Sequence, residues 1–383
     1  MNISTIKKEE CCGCSACIYS CPHNAISLSS DSEGFKYPII NSHLCTNCGI
    51  CLNVCNSKSK EKLPCLCAYS VKNKNDDVLY KSSSGGVSHG LCREIIAENG
   101  VIYGVVYDES FHVLVQRIDC LEDCEALYGS KYVQADPGNS LEQIYEDLKI
   151  GRNVLVFGTS CYIAGLISFL KCKRVKTDSL ITVDLICHGV PSPLLFQDYI
   201  KWLDKNGNLQ SFQFRTKAKP WGYGSKNFGC TITRSDGRTE VDTIKARVFL
   251  QLFFSNNCLR PHCHECQFAG VDKPADLTIA DYWGCAEQEP DFFSEKGVSA
   301  VLVHTKKGEK LLIQSKELEI KKTTVEKISK KQGNLGHASP ISSDRSDFWN
   351  LYYTRGFKAI AQRYGSYTVK QKIKRIIYNL LRK

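Results

Sequence analysis

The chain has 383 residues, 43% hydrophobic and 23% charged, which gives material for a large core and more than one domain and excludes a disordered chain. Its 22 cysteines are more than packing needs, and the chain is too long for a small secreted disulfide scaffold, so the thiols point to metal or redox chemistry. The net charge of +10 is concentrated at one end: from Thr305 onward 19 Lys and Arg face 6 Asp and Glu, and the remainder is slightly acidic.

The first segment, residues 1–62, contains an internal repeat. Cys11-x2-Cys14-x2-Cys17-x3-Cys21 recurs as Cys45-x2-Cys48-x2-Cys51-x3-Cys55, 34 residues later. This is the spacing of bacterial ferredoxins, where three thiolates on a tight loop cap one 4Fe–4S cube and the fourth cysteine reaches the other cube. Crossed ligation is expected: Cys11, Cys14, Cys17 and Cys55 on one cluster, and Cys45, Cys48, Cys51 and Cys21 on the second. Zinc sites usually take two separated pairs, a different pattern. Pro22 follows the first copy, whereas Asn56 takes that place in the second, a departure that bears on the local turn and not on the ligands. Cys12 is extra to the motif and reads as a spectator. NSKSKEK, residues 56–62, reads as a linker. MNISTIKKEE has no apolar segment ahead of the cysteines, so no secretory signal is expected there.

Residues 63–140 and 141–310 alternate strand and helix patterns. They predict an α/β domain with a mostly parallel or mixed sheet, covered on both faces, behind an α+β ferredoxin-like two-cluster domain. A Gly/Ser loop at Ser82–Gly86 leads to a helix from Val87 and a strand at Val101–Tyr107. Ser140 as N-cap, with Gln143 three residues on, fits a capping box. A strand at Asn153–Phe157, a second helix and the buried strand SLITVDLICHG follow. Further strands are expected at Leu209–Arg215, Phe228–Thr233, Leu277–Ala280 and Ala300–His304.

NNCLRPHCHECQFAG carries a third cysteine group, Cys258, Cys263 and Cys266. Cys-x4-Cys-x2-Cys supplies three ligands of a further cluster, and Cys187 or Cys161 is the candidate fourth. Both follow expected strands, the usual address of sites in open α/β sheets. Zinc completed by His262 or His264, or plain buried thiols, are the alternatives.

Taken in order, SSSGGV (82–87), YGSKYVQAD (128–136), FGTSCYIAGLISFL (157–170), DLICHGVPSP (184–193), FRTK (214–217), CLRPHCHECQFAG (258–270), ADLTIADYWG (275–284) and KGVSAVLVHTKKG (296–308) resemble the coenzyme F420 hydrogenase/dehydrogenase beta-subunit family, in the form with a fused N-terminal two-cluster ferredoxin. Ser160 stands where that family suggests proline, and Ala280 where it suggests glycine. The resemblance implies a cytoplasmic iron–sulfur flavoprotein oxidoreductase. It would bind FAD near a 4Fe–4S cluster and pass electrons between clusters, flavin and a redox substrate. The implied redox partner is a ferredoxin, coenzyme F420 or another oxidoreductase subunit, with no role for nucleic acid. A non-catalytic electron-transfer subunit of a larger complex is the alternative.

Flavin chemistry asks the protein for binding, orientation and nearby charge, so no Ser/His/Asp set is expected. Ser84, Gly85 and Gly86 before a helix, and Thr159 and Ser160 after a strand, have the backbone setting that binds phosphate, or else form a plain surface loop. No GxGxxG and no P-loop is present. Lys131, Arg215 and Lys217 are candidates to neutralise a pyrophosphate or anionic substrate, against simple solvated charge. Trp221 either covers the flavin or anchors a loop. Asp276 and Asp281 cap turns or shape the site. Cys92, Cys172 and Cys230 read as buried small hydrophobes, and the pair Cys120 and Cys124 carries no reading.

Residues 311–383 form a C-terminal extension without a motif. Val369, Ile373, Ile376, Ile377, Leu380 and Leu381 give its end one apolar stripe on a basic helix. That helix packs on its own domain, docks on a partner or makes peripheral contact with an anionic membrane.

Overall fold

A computed structural model describes residues 1–57, 61–217, 220–222 and 229–368. The apolar stripe expected from Val369 to Leu381 on a basic helix lies outside them, and the strand expected at Phe228–Thr233 begins outside them.

In the N-terminal domain β1 (Ile26–Ser30) and β2 (Lys36–Ile40) form an antiparallel pair. Each cysteine loop ends in a four-residue helix, Ala16–Tyr19 and Ile50–Asn53. Both loops use alternating left-handed residues: Gly13 (φ 77°) and Ser15 (φ 65°) in one copy, Asn47 (φ 57°) and Gly49 (φ 81°) in the other. Such turns aim successive N–H groups at one centre, which suits a ring of thiolates.

The main domain is built on an eight-stranded mixed sheet. In chain order its strands are β3 (Cys67–Asn73), β4 (Val101–Tyr107), β5 (Val113–Ile118), β6 (Val154–Phe157) and β7 (Leu180–Leu185). A separate three-stranded antiparallel sheet holds β8 (Leu209–Gln213), β9 (Thr231–Arg234) and β10 (Thr239–Val241). The large sheet is completed by β11 (Leu277–Asp281), β12 (Ser299–Val303) and β13 (Leu318–Thr323), in the order β13-β3-β12-β11-β7-β6-β4-β5. Only the central pairs β11/β7, β7/β6 and β6/β4 are parallel. The four outer pairs are antiparallel, which corrects the mostly parallel expectation in favour of the mixed one. Parallel neighbours need a helical crossover. The link from β11 to β12 has only the four-residue helix Cys285–Gln288, so that pair runs antiparallel. The sheet draws strands from all three segments after residue 62.

Strand alternation covers both faces. Val154 and Val156 enter a core with the helices Ser140–Lys149 and Ser160–Lys173, while Leu155 enters the opposite core with Val87–Ala97 and Lys306–Gln314. A third, aromatic core joins the small sheet to Pro193–Leu203, Ile244–Phe254 and Arg345–Arg363, the last broken at Gly356. Asn139 holds the N-cap position of the helix that starts at Ser140 and makes no side-chain cap bond, so the expected box does not form: the Ser140 hydroxyl instead meets Tyr162 Oη at 2.8 Å. Cys92 and Cys230 are buried, but Cys172 is exposed, on the outer side of its helix. Among the described residues no helix is long and apolar enough to cross a membrane.

The N-terminal domain docks through residues of both motif copies and of the hairpin between them. Ala16 and Val54 enter the core of Ile163 and Leu166. Tyr19 Oη donates to Gly138 O (2.5 Å), Lys36 pairs with Asp136 (2.6 Å), and Glu33 pairs with Arg345.

Candidate metal centres and anion site

Cys21, Cys45, Cys48 and Cys51 line one pocket, with Asn2, His23 and Ile40 beside them. Three belong to the second motif copy and one to the first. The empty volume is about 320 Å³, part of it open to water, and Cys48 is exposed. Ala25 N donates to Cys21 Sγ (3.4 Å) and Asn2 Nδ2 to Cys45 Sγ (3.7 Å), contacts that favour thiolates.

The complementary set faces the main domain. The Cys17 thiol lies in the field of Cys11 and Cys55, and Cys11 in that of Cys55. Burial first, then these neighbours, push Cys17 well up; burial also raises Cys11, against the pull of Arg260. Crowded, desolvated thiols are costly as bare thiolates, and iron binding is what would offset that cost. The helix Ser160–Lys173 lies directly over this set, because a Cβ at Gly165 would stand 2.5 Å from Cys14 Sγ.

Of the third group, Cys263 and Cys266 meet Cys187 at the C-terminal edge of the parallel strands. Burial and then the Cys266 thiol push Cys187 up to about 11, and burial and then Cys187 push Cys263 higher still. Cys161, in the first turn of Ser160–Lys173, also lies in the field of Cys266. Cys258 does not join them. It is buried, its thiol donates to Leu252 O (3.4 Å), and its charged neighbours are Arg345 and Glu33. It stays under the end of the helix Ile244–Phe254, whereas Cys263 and Cys266 ride on the turn Pro261–Glu265 and its cap. His262 and His264 bond to Glu9 O and Ser339 O through Nδ1, at 3.0 and 3.1 Å. Among the described residues no three His, Cys, Asp or Glu side chains could hold a single metal ion. A cube spreads its thiolates over separate irons, unlike one tetrahedral ion. The buried Lys273 acts on Cys187, Cys266 and Asp184. Burial raises the Asp184 carboxyl to about 6, against Lys273.

Cys12 joins the first and third groups. Its thiol meets those of Cys14 and Cys161. Asn56 Nδ2 donates to Cys12 Sγ (3.3 Å) and to Cys161 O (2.6 Å), and Asn56 is 1% exposed. The residue that breaks the Cys-Pro pattern therefore ties two thiol groups together. Its only signal in the sequence was the missing proline.

The other candidates divide. Ser84 Oγ donates to Val298 O (3.1 Å) and Gly85 N to Ser299 Oγ (2.9 Å). A Cβ at Gly85 would meet Val71 O at 2.4 Å, so glycine lets this loop lie on the sheet, and Gly86 (φ 70°) turns it into the helix. Lys217 Nζ donates to Leu79 O and Ser84 O (both 2.6 Å), and Lys131 Nζ to Ala126 O (2.7 Å) and Tyr128 O (2.9 Å). Burial lowers each ammonium to about 7. Both side chains are half-buried, and among the described residues neither is bonded to a carboxylate, so an added anion would favour their charged form. Arg215 is committed to Asp281 (2.6 Å), which also accepts from Trp221 Nε1 (3.1 Å), and Trp221 stacks on Trp283 at 5.1 Å. Thr159 Oγ1 meets Cys161 Sγ (3.3 Å) and the buried Ser160 bonds to Asp184, so both border the third thiol group. Asp276 is a structural cap, accepting from Thr182 N (2.8 Å) and Thr305 Oγ1 (2.7 Å).

Residues 151–329 match the family model for the C-terminal part of the coenzyme F420 hydrogenase/dehydrogenase beta subunit, and residues 10–59 match the 4Fe–4S dicluster domain. Among solved structures, a chain of the xenon-derivatised F420-reducing NiFe hydrogenase complex from Methanosarcina barkeri is similar at 17% identity and TM-score 0.46, over 71% of this chain and 89% of that one. No curated protein matches the chain.

Proposed function

We propose that this chain, whose residues 151–329 belong to the coenzyme F420 hydrogenase/dehydrogenase beta-subunit family behind a 4Fe–4S dicluster domain, is an iron–sulfur flavoprotein oxidoreductase passing electrons between clusters, FAD and a redox substrate. The observation that carries this reading is the grouping of twelve thiols into three sets. Cys21, Cys45, Cys48 and Cys51 would hold an outer cluster. Cys11, Cys14, Cys17 and Cys55 would hold an inner one. Cys187, Cys263 and Cys266 would hold a third, with Cys161 as fourth ligand and Cys258 left out. Lys131 and Lys217 would neutralise the flavin pyrophosphate beside the Ser84–Gly86 loop. When bound, the clusters supply one-electron chemistry and FAD converts it to two-electron chemistry.

The chain's own part is to orient these groups and exclude water. Helix Ser160–Lys173 covers the inner set, Asn56 fixes Cys12 and Cys161, and Trp221 with Trp283 closes the Asp281–Arg215 pair. The alternative, an electron-transfer subunit of a larger complex, is favoured by exposed apolar residues near the outer set: Ile39 is 51% and Leu44 49% exposed. Anaerobic purification with iron, zinc, acid-labile sulfide and flavin counted on one sample tests the proposal. About twelve irons and FAD are expected. About eight irons would remove the third set, and zinc without sulfide or flavin would refute the reading.

A further inference from the structure

Arg260 is a main-domain residue that reaches the cysteine loop of the N-terminal domain. Its Nε donates to Cys11 O (2.6 Å) and one terminal nitrogen to Cys11 Sγ (3.5 Å). The fork also donates to Lys36 O (2.9 Å) and Gln134 Oε1 (2.9 Å), and the guanidinium lies 4.3 Å from the Tyr37 ring centre. The side chain is 1% exposed. Its oxygen partners are all neutral, and among the described residues no carboxylate pairs with it. A buried cation left without an anion is strongly unfavourable. The group within its hydrogen-bond reach that can carry negative charge is the thiolate of Cys11, and the Cys263 thiol lies further out in its field. A second feature shows that the contact is built in. A Cβ at Gly13 would stand 2.9 Å from the guanidinium and 2.7 Å from Gln134 Nε2, so the loop needs glycine there for Arg260 to approach.

We propose that Arg260 is a positioning residue that raises the reduction potential of the inner cluster and leaves that of the outer cluster unchanged. This rests on the reading that Cys11, Cys14, Cys17 and Cys55 hold a 4Fe–4S group. Reduction adds one electron and no proton, making the thiolate-ligated cube more negative by one charge. A desolvated guanidinium bonded to one of its sulfurs stabilises that added charge, since cluster potentials follow local charge and hydrogen bonds to sulfur. Because Arg260 comes from the segment that also carries Cys263 and Cys266, and its N–H donates to Val190 O (2.9 Å), the potential is tied to correct docking of the two domains.

The test is an EPR-monitored potentiometric titration of the full chain, purified anaerobically, using dithionite as the one-electron reductant. Arg260→Gln removes the charge. Gln134→Glu keeps the arginine and puts a carboxylate beside it, so it carries the test alone if the first variant fails to fold. In both, one of the two dicluster-domain potentials is expected to shift to more negative values while the other stays put, and Arg260→Lys is expected to shift less than Arg260→Gln. Unmoved potentials, or equal shifts of both centres, in a variant with wild-type iron content would overturn the inference alone. A wild type without two reducible dicluster centres would overturn the parent reading and this one with it.

Discussion

The two copies of the cysteine motif share their spacing and their paired left-handed turns, yet they stand in opposite surroundings. Around the outer set the pocket opens to water, Cys48 is exposed, and the contacts to sulfur come from a backbone N–H and an asparagine. Around the inner set a helix sits on Cys14, Arg260 bonds to Cys11, and Cys12 and Asn56 lead to the third thiol group. Spacing therefore specifies which group is held, while packing against a second domain specifies what that group faces. The outer set faces solvent and the inner set faces the main domain.

The comparison is broken most severely by removing ligands. Cys17→Ser and Cys48→Ser should each lose about four irons per chain. Only Cys17→Ser should also weaken domain docking, read as a lower denaturation midpoint. Equal midpoints for the two variants would erase the inner and outer distinction. Next in size is Gly165→Val, whose side chain cannot fit against Cys14. It should destabilise the holoprotein by about 1–3 kcal/mol. In the outer copy Gly49→Ala meets no atom closer than Met1 O at 3.8 Å and carries only backbone strain, of about 1–2 kcal/mol. Asn56→Ala leaves the Cys161 carbonyl without its amide and should cost about 1–3 kcal/mol. Asn2→Ala, its nearest counterpart at the outer set, should stay within about 0.5 kcal/mol.

The smallest effect is a proton count at the anion site. Lys131 and Lys217 fall to about 7 from an ordinary 10.5, so their burial penalty is full below pH 7 and is relieved as pH rises from about 7 to 10.5. A bound pyrophosphate would restore both charges. FAD binding to the flavin-free chain at pH 8 should therefore take up protons, at most about one per lysine, and the uptake should vanish well below pH 7. Calorimetry in two buffers of different ionisation enthalpy measures this, and proton release at pH 8 would count against the assignment.

The strands at Val101–Tyr107, Val154–Phe157 and Leu180–Leu185 and the four-cysteine repeats were legible in the sequence because period and spacing are local signals, whereas Val113–Ile118 was not expected. What escaped is non-local. The mixed sheet depends on β3 and β13, strands from distant segments that pair side by side and carry no crossover signature. Cys258 shares a run of residues with Cys263 and Cys266, but a helix end turns it elsewhere. Cys12 and Asn56 gain their meaning only when the helix Ser160–Lys173 arrives beside them. Arg260 was one basic residue among fifty in the sequence, and burial is what singles it out.

The most direct test of the outward and inward roles is EPR relaxation of the reduced full chain with and without an added dysprosium chelate, which acts only on centres near the surface. One dicluster-domain signal should relax faster while the other holds its wild-type rate, and Cys48→Ser should abolish the sensitive signal. Equal acceleration of both signals, or loss of the insensitive one in Cys48→Ser, would contradict the account.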